Sequence, residues 1–223
     1  MKIKGAIFDM DGTLIDSLSF WNHFWKNIGK RYMNDPDFQA CETVDKAIRT
    51  MVYADAMIYV KEYYNIAAGN AEFLHFAESE LLDFYRDVAT VKDGAIALLE
   101  HLKQMGIPIC LASATAMKGL RFVLDCHGLT KYFDTVLSCA DIGVGKDKPD
   151  IYLMALDAMS LSASEVCVFE DSYVALETAK AAGFQTVGIY DRCNFEQERL
   201  RNASDIYLDK TQPLSALIPL INR

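Results

Sequence analysis

The sequence predicts an α/β fold: a parallel sheet with crossover helices, its first strand separated from the second by an all-helical insertion. Three observations predict it. Short apolar runs recur at Ile3 to Phe8, Ile107 to Ala112, Thr135 to Ser138, Val166 to Phe169 and Thr186 to Tyr190, each followed by a polar turn and a helical pattern. That alternation is the mark of a parallel sheet. Helices can be read between the runs, as at Gly94 to Met105, with Ala95, Leu98, Leu99 and Leu102 on one face, and at Ala175 to Ala182, closed by Gly183. The third observation is a gap of about a hundred residues between the first two strands, where a βαβ unit takes only a few tens.

The gap reads as helical throughout, at Leu18 to Arg31 with Phe20, Phe24 and Ile28 on one side, at Thr43 to Tyr64, and at Glu72 to Asp87. The expected division is therefore a core made of residues 1–15 and 89–223 with a helical cap at 16–88. Phe20, Trp21, Phe24 and Trp25 recur at helical spacing and read as packing inside that cap.

Composition narrows the class. With 223 residues, 52% hydrophobic and 24% charged, the chain has the balance of a folded globular protein and is long enough to bury a core. A net charge of -9 argues against a nucleic-acid binder, since phosphate backbones are held by clustered Lys and Arg. An anionic small molecule would need local compensation from a cation or a few placed lysines. Met1-Lys2-Ile3-Lys4-Gly5 runs straight into the first strand without the apolar core and cleavage site of a secretory signal. No apolar stretch approaches the roughly 20 residues of a spanning helix, so a cytoplasmic protein with no membrane partner is expected. The six cysteines are scattered, without a C-x-x-C pair or a histidine at zinc-ligand spacing, and read as reduced thiols. Cys110 and Cys167 lie inside apolar runs, where a thiol packs as a small hydrophobe.

Chemistry-bearing residues gather where the strands end. The first strand runs into Asp9-Met10-Asp11-Gly12-Thr13-Leu14-Ile15-Asp16-Ser17. Carboxylates two residues apart point the same way from a strand and repel, a cost relieved by a cation or a shared proton. Gly12 allows the tight turn that a loop approaching an anion needs. An isolated D-x-D-G could equally be an acidic turn that caps the next helix. The second strand ends in Leu111-Ala112-Ser113-Ala114-Thr115, which offers a hydroxyl and free backbone N–H groups at the start of a helix, where the dipole favours an anion. Gly145-Lys146-Asp147-Lys148-Pro149-Asp150 puts two lysines before a helix opened by proline. The fourth strand ends in Phe169-Glu170-Asp171-Ser172. All four stretches sit at the C-terminal ends of parallel strands, where open α/β sheets bind ligands.

In this order, an aspartate pair, Ser/Thr, Lys and an acidic pair, the set resembles the four motifs of the haloacid dehalogenase superfamily. The resemblance covers nearly the whole chain, and the helical insertion after the first motif matches the subclass containing phosphoglycolate phosphatase and β-phosphoglucomutase. It implies a Rossmann-like sheet with strand order 3-2-1-4-5, which brings Asp9 beside Asp171. It also implies a mechanism: Asp9 is the nucleophile that forms an aspartyl-phosphate, and Asp11 is the acid and then the base. Mg²⁺ is held by Asp9, the Asp11 main-chain carbonyl and Asp171, with Glu170 acting through water, while Ser113, Ala114 and Lys146 bind phosphoryl oxygens. The implied substrate is a small phosphorylated metabolite.

Departures from the family pattern sharpen the reading. Haloacid dehalogenases proper lack the second aspartate, so Asp11 points to phosphorus chemistry. Mutases of this kind carry a histidine twelve residues after the nucleophile, and here that position is Trp21. The third motif reads K-D-K-P-D where the family commonly has K-P-x-P-D, so Lys146 and Lys148 both compete for the phosphate. Counting back three residues from Pro149-Asp150 favours Lys146. A phosphoaspartate signalling switch would be about half as long and would have its acceptor where Ser138 and Cys139 stand. A family member that only binds is the remaining alternative, and the complete residue set gives it no support.

Overall fold

A computed structural model of the chain describes residues 1–49 and 51–221. The chain forms two compact units, one of Met1–Leu18 with Thr90–Arg223 and one of Ser19–Ala89.

The first unit holds the strands β1 (Gly5–Phe8), β2 (Ile15–Asp16), β3 (Thr90–Val91), β4 (Ile109–Ser113), β5 (Thr135–Ser138), β6 (Val166–Glu170), β7 (Gln185–Ile189) and β8 (Ile206–Leu208). The main sheet has the order β5-β4-β1-β6-β7-β8, and every pair in it is parallel. Counted along the chain this is 3-2-1-4-5 with β8 added at the edge, a Rossmann-like arrangement. β8 lies outside the strands expected from the sequence, because three residues, Ile-Tyr-Leu, are too few to stand out as a strand. β1, β4 and β6 are buried along their whole length, as parallel strands covered on both faces must be, and their sequences are accordingly almost continuously apolar. Cys110 and Cys167 are fully buried there.

The second unit contains α1 (Phe20–Ile28), α2 (Glu42–Ile48), α3 (Tyr53–Tyr63) and α4 (Asn70–Asp87). The single helix expected over Thr43 to Tyr64 is in fact two, because Val52 takes an extended backbone (φ -61°, ψ 136°) and a new helix starts at Tyr53. α1 runs into a π-helical turn at Gly29–Met33 that ends at Asn34 in the left-handed region (φ 52°). Any Cβ at Gly29 would lie 2.0 Å from the Asp35 carbonyl, which restricts that position to glycine. Phe20, Phe24, Trp25, Phe73, Phe76 and Phe84 are buried. Phe24 lies 5.2 Å from Phe20 and 6.0 Å from Phe76 between ring centroids. The Trp25 indole N–H donates to Asp45 Oδ1 at 3.0 Å, so the one polar atom of this ring is satisfied.

Back in the sheet unit, α5 (Ala95–Gln104), α6 (Met117–Cys126), α7 (Cys139–Ile142), α8 (Asp150–Met159), α9 (Tyr173–Ala181) and α10 (Gln197–Ala203) connect the strands. β2 and β3 form a separate antiparallel ribbon, Ile15 opposite Val91 and Asp16 opposite Thr90. That ribbon keeps residues 15–18 with the sheet, which is why the helical unit begins at Ser19 rather than at the expected 16. Among the described residues, no helix is long and apolar enough to cross a membrane.

Candidate active site

The site is set by register. Gly5 to Phe8 pair with Val166 to Phe169, and the Asp9 N–H donates to the Phe169 carbonyl at 3.0 Å, so Asp9 leaves the sheet level with Glu170. Phe8 and Phe169 stack beneath, 4.2 Å apart and 10° from parallel, and fix the two strand ends against each other. Asp9, Glu170 and Asp171 are all buried, and one carboxylate oxygen from each lies within 4.8 Å of the others.

The loop after β1 folds back at once. The N–H groups of Thr13, Leu14 and Ile15 all donate to the Met10 carbonyl, and that of Gly12 to Ile15 O. Gly12 adopts φ +81°, and a Cβ there would lie 2.3 Å from Asp171 Oδ2. Glycine is needed for both the turn and the approach.

Each carboxylate has its own partners. Lys146 Nζ, 11% exposed, donates to Asp9 Oδ1 and to Glu170 Oε1, at 2.5 Å each. The Ser172 N–H donates to Glu170 Oε2 at 3.2 Å. Asp171 is held by neutral donors, Thr13 Oγ1 on Oδ1 at 3.0 Å and Asn194 Nδ2 on Oδ2 at 2.7 Å. Asp11 receives Ser17 Oγ on Oδ1 at 2.7 Å and Thr115 Oγ1 on Oδ2 at 2.8 Å.

Electrostatics follow from this crowding. Burial pushes the Glu170 carboxyl up to about 7, against the pull of Lys146 and with the help of Asp9. Asp171 is held well above the usual carboxylate range by burial first, then by the charges of Asp9 and Glu170. For Lys146, burial favours the neutral amine, but Asp9 and Glu170 outweigh it and hold the ammonium well above its ordinary value. Three converging carboxylates, two of them raised by burial and repulsion, are an all-oxygen donor set that fits a hard divalent cation.

Not every expected residue stands where the sequence suggested. Lys148 is exposed, and its N–H closes a turn onto the Gly145 carbonyl at 3.2 Å, so Lys146 is the lysine that meets Asp9. Ser113 and Ala114 do not open the next helix: α6 begins at Met117, with Ala116 as its N-cap. Ser113 is buried at the end of β4 and accepts the Thr115 N–H at 3.2 Å, while Ala114 is exposed. The contact from this strand end to Asp11 is made by Thr115. Thr13 and Thr115 lie inside the motifs, but nothing in their spacing marks them as partners of carboxylates. Asn194 was missed altogether; the signal available was its place just beyond the C-terminal end of a parallel strand.

A family model for haloacid dehalogenase-like hydrolase matches residues 3–183. Hexitol phosphatase A of Escherichia coli is 27% identical over 193 residues, 85% of this chain and 84% of that one. A phosphorylated carbohydrates phosphatase of Thermotoga maritima is 25% identical over 185 residues, 83% of this chain and 84% of that one. The solved β-phosphoglucomutase of Clostridium difficile superposes with a TM-score of 0.73 over 96% of this chain and 93% of that one at 19% identity, a likeness of fold. By fold, by the arrangement of its acidic cluster and by this match, the chain belongs to the haloacid dehalogenase-like hydrolase family.

Proposed function

We propose that this chain is a magnesium-dependent phosphatase of small phosphorylated sugars or polyols that works through an aspartyl-phosphate on Asp9. The observation that carries the reading is the convergence of Asp9, Glu170 and Asp171 with Lys146 at adjoining strand ends. The substrate class draws on the relatives named for hexitol and carbohydrate phosphates.

An Asp9 oxygen attacks phosphorus, and the bond from phosphorus to the ester oxygen breaks. Asp11 donates a proton to the departing alkoxide; as the base it has become, it then takes a proton from the water that attacks the aspartyl-phosphate. Inorganic phosphate leaves and Asp9 is regenerated. Thr115 and Ser17 each hold one Asp11 oxygen and so fix the carboxyl through both halves of the reaction. Lys146 offsets the phosphoryl charge, assisted by the Ser113 hydroxyl and the backbone at Ala114. Asp9, Glu170, Asp171 and the Asp11 carbonyl would hold Mg²⁺, which when bound neutralises the carboxylates that would otherwise repel a phosphate dianion.

The fold likeness to a β-phosphoglucomutase raises sugar-phosphate isomerisation as a second reading. Trp21 has no imidazole to offer at the position where those mutases carry histidine. Hydrolysis of sugar and polyol phosphates is therefore expected to need Mg²⁺, with β-glucose 1-phosphate hydrolysed or ignored. Phosphate release with and without excess chelator tests the first point. Undiminished turnover in chelator would overturn the metal, and glucose 6-phosphate as the main product would overturn the phosphatase.

A further inference from the structure

We propose that Asn194, on the loop after β7, is a positioning residue that sets the Asp171 carboxylate for a divalent cation; this rests on the metal reading above. One nitrogen makes both contacts. Asn194 Nδ2 donates to the Asp171 main-chain carbonyl at 2.8 Å and to Asp171 Oδ2 at 2.7 Å, which uses both of its hydrogens. The Phe195 N–H donates to Asn194 Oδ1 at 2.8 Å, so the amide has a partner at each end and one consistent orientation.

A bond to the carbonyl alone would only staple the loop to the strand end. The second bond reaches the carboxylate itself, and because both acceptors belong to Asp171, rotating that side chain breaks one of them. Thr13 holds the other oxygen at 3.0 Å. Each oxygen thus has one protein donor and keeps lone-pair capacity for another partner. Both donors are neutral, so they orient Asp171 without cancelling its charge, unlike Lys146 between Asp9 and Glu170.

The loop has anchors of its own. Asp191 is buried and pairs with Lys92 at 2.8 Å, and its Oδ1 accepts the Cys193 N–H at 2.8 Å. Its carbonyl accepts the Asn194 N–H at 3.2 Å and Gln197 Nε2 at 3.0 Å. Asn194 therefore acts from a fixed base. Partners of this kind, which bond a metal ligand from behind, change metal affinity or activity about 10- to 100-fold when removed.

The test is Mn²⁺ binding to the full chain without substrate, followed by the electron paramagnetic resonance signal of free Mn²⁺ and competed with Mg²⁺. Wild type is compared with Asn194→Ala, with Asn194→Leu, which keeps volume but has no donors, and with Asp171→Asn. Melting curves accompany each protein. The expected result is Mn²⁺ binding weakened about 10- to 100-fold in both folded Asn194 variants. Mn²⁺ binding within twofold of wild type in a folded Asn194 variant, with binding lost in Asp171→Asn, would overturn the role of Asn194 and leave the metal reading standing. Loss of fold in both Asn194 variants would likewise overturn it, as the mark of a structural residue. Wild-type affinity in Asp171→Asn, or no Mn²⁺ binding by wild type, would overturn the metal reading and this inference with it.

Discussion

Both units bury apolar side chains, but among the described residues the buried carboxylates all lie in the sheet unit. The sheet unit encloses Asp9, Glu170 and Asp171 at its strand ends, with Lys146 shared between the first two. The helical unit encloses Phe20, Phe24, Trp25, Phe73 and Phe76. Each large apolar side chain contributes about 1.5–3 kcal/mol by leaving water. Glu170 and Asp171 do the reverse, since burial and the neighbouring carboxylates disfavour their charged forms. A chain keeps groups that oppose its own stability where chemistry needs them, so the cluster, and not the aromatic core, is where function is to be sought.

The comparison can be broken most sharply at Asp9. Asp9→Asn is expected to lower kcat by about 10⁴-fold or more, because an amide is a poor nucleophile. The variant should stay folded, since the amide is nearly isosteric with the carboxylate and its loss of the Lys146 ion pair is offset by relief of repulsion from Glu170 and Asp171. Steady-state kinetics and circular dichroism read both, and an active variant that melts early would reverse the assignment. Next in size is Phe24→Ala in the helical unit, expected to cost about 3–5 kcal/mol of stability by emptying an enclosed ring site. A urea-melt loss below about 1 kcal/mol would show that the aromatic core is not what stabilises that unit. Smallest is the lysine pair. Lys146→Ala should lower kcat/KM about a hundredfold or more, and Lys148→Ala only a few-fold, as their contact with Asp9 and exposure to solvent respectively require.

Legibility divides along the same line. The main strands could be read because parallel strands buried on both faces must be continuously apolar, and the site residues because they punctuate those strands at one end. Lys146 was legible only through its spacing from Pro149, which places it without showing its partners. β8 and the β2–β3 ribbon are too short to make a period. The break at Val52 was hidden because the residues on either side of it keep a helical pattern. Asn194 was invisible for a different reason: its role lies in two hydrogen bonds across a loop, and hydrogen-bond partners leave no trace in spacing.

The ribbon has a consequence in polymer terms. With Asp16 set opposite Thr90, the sheet meets everything between them as a closed loop whose ends are already tied. The entropy of such a closure grows only logarithmically with contour length, by about 0.6 kcal/mol for each doubling. Ten residues added anywhere in that loop would cost the sheet about a tenth of a kcal/mol. The strand ends are thereby insulated from the length of the segment the chain carries between its first two long strands.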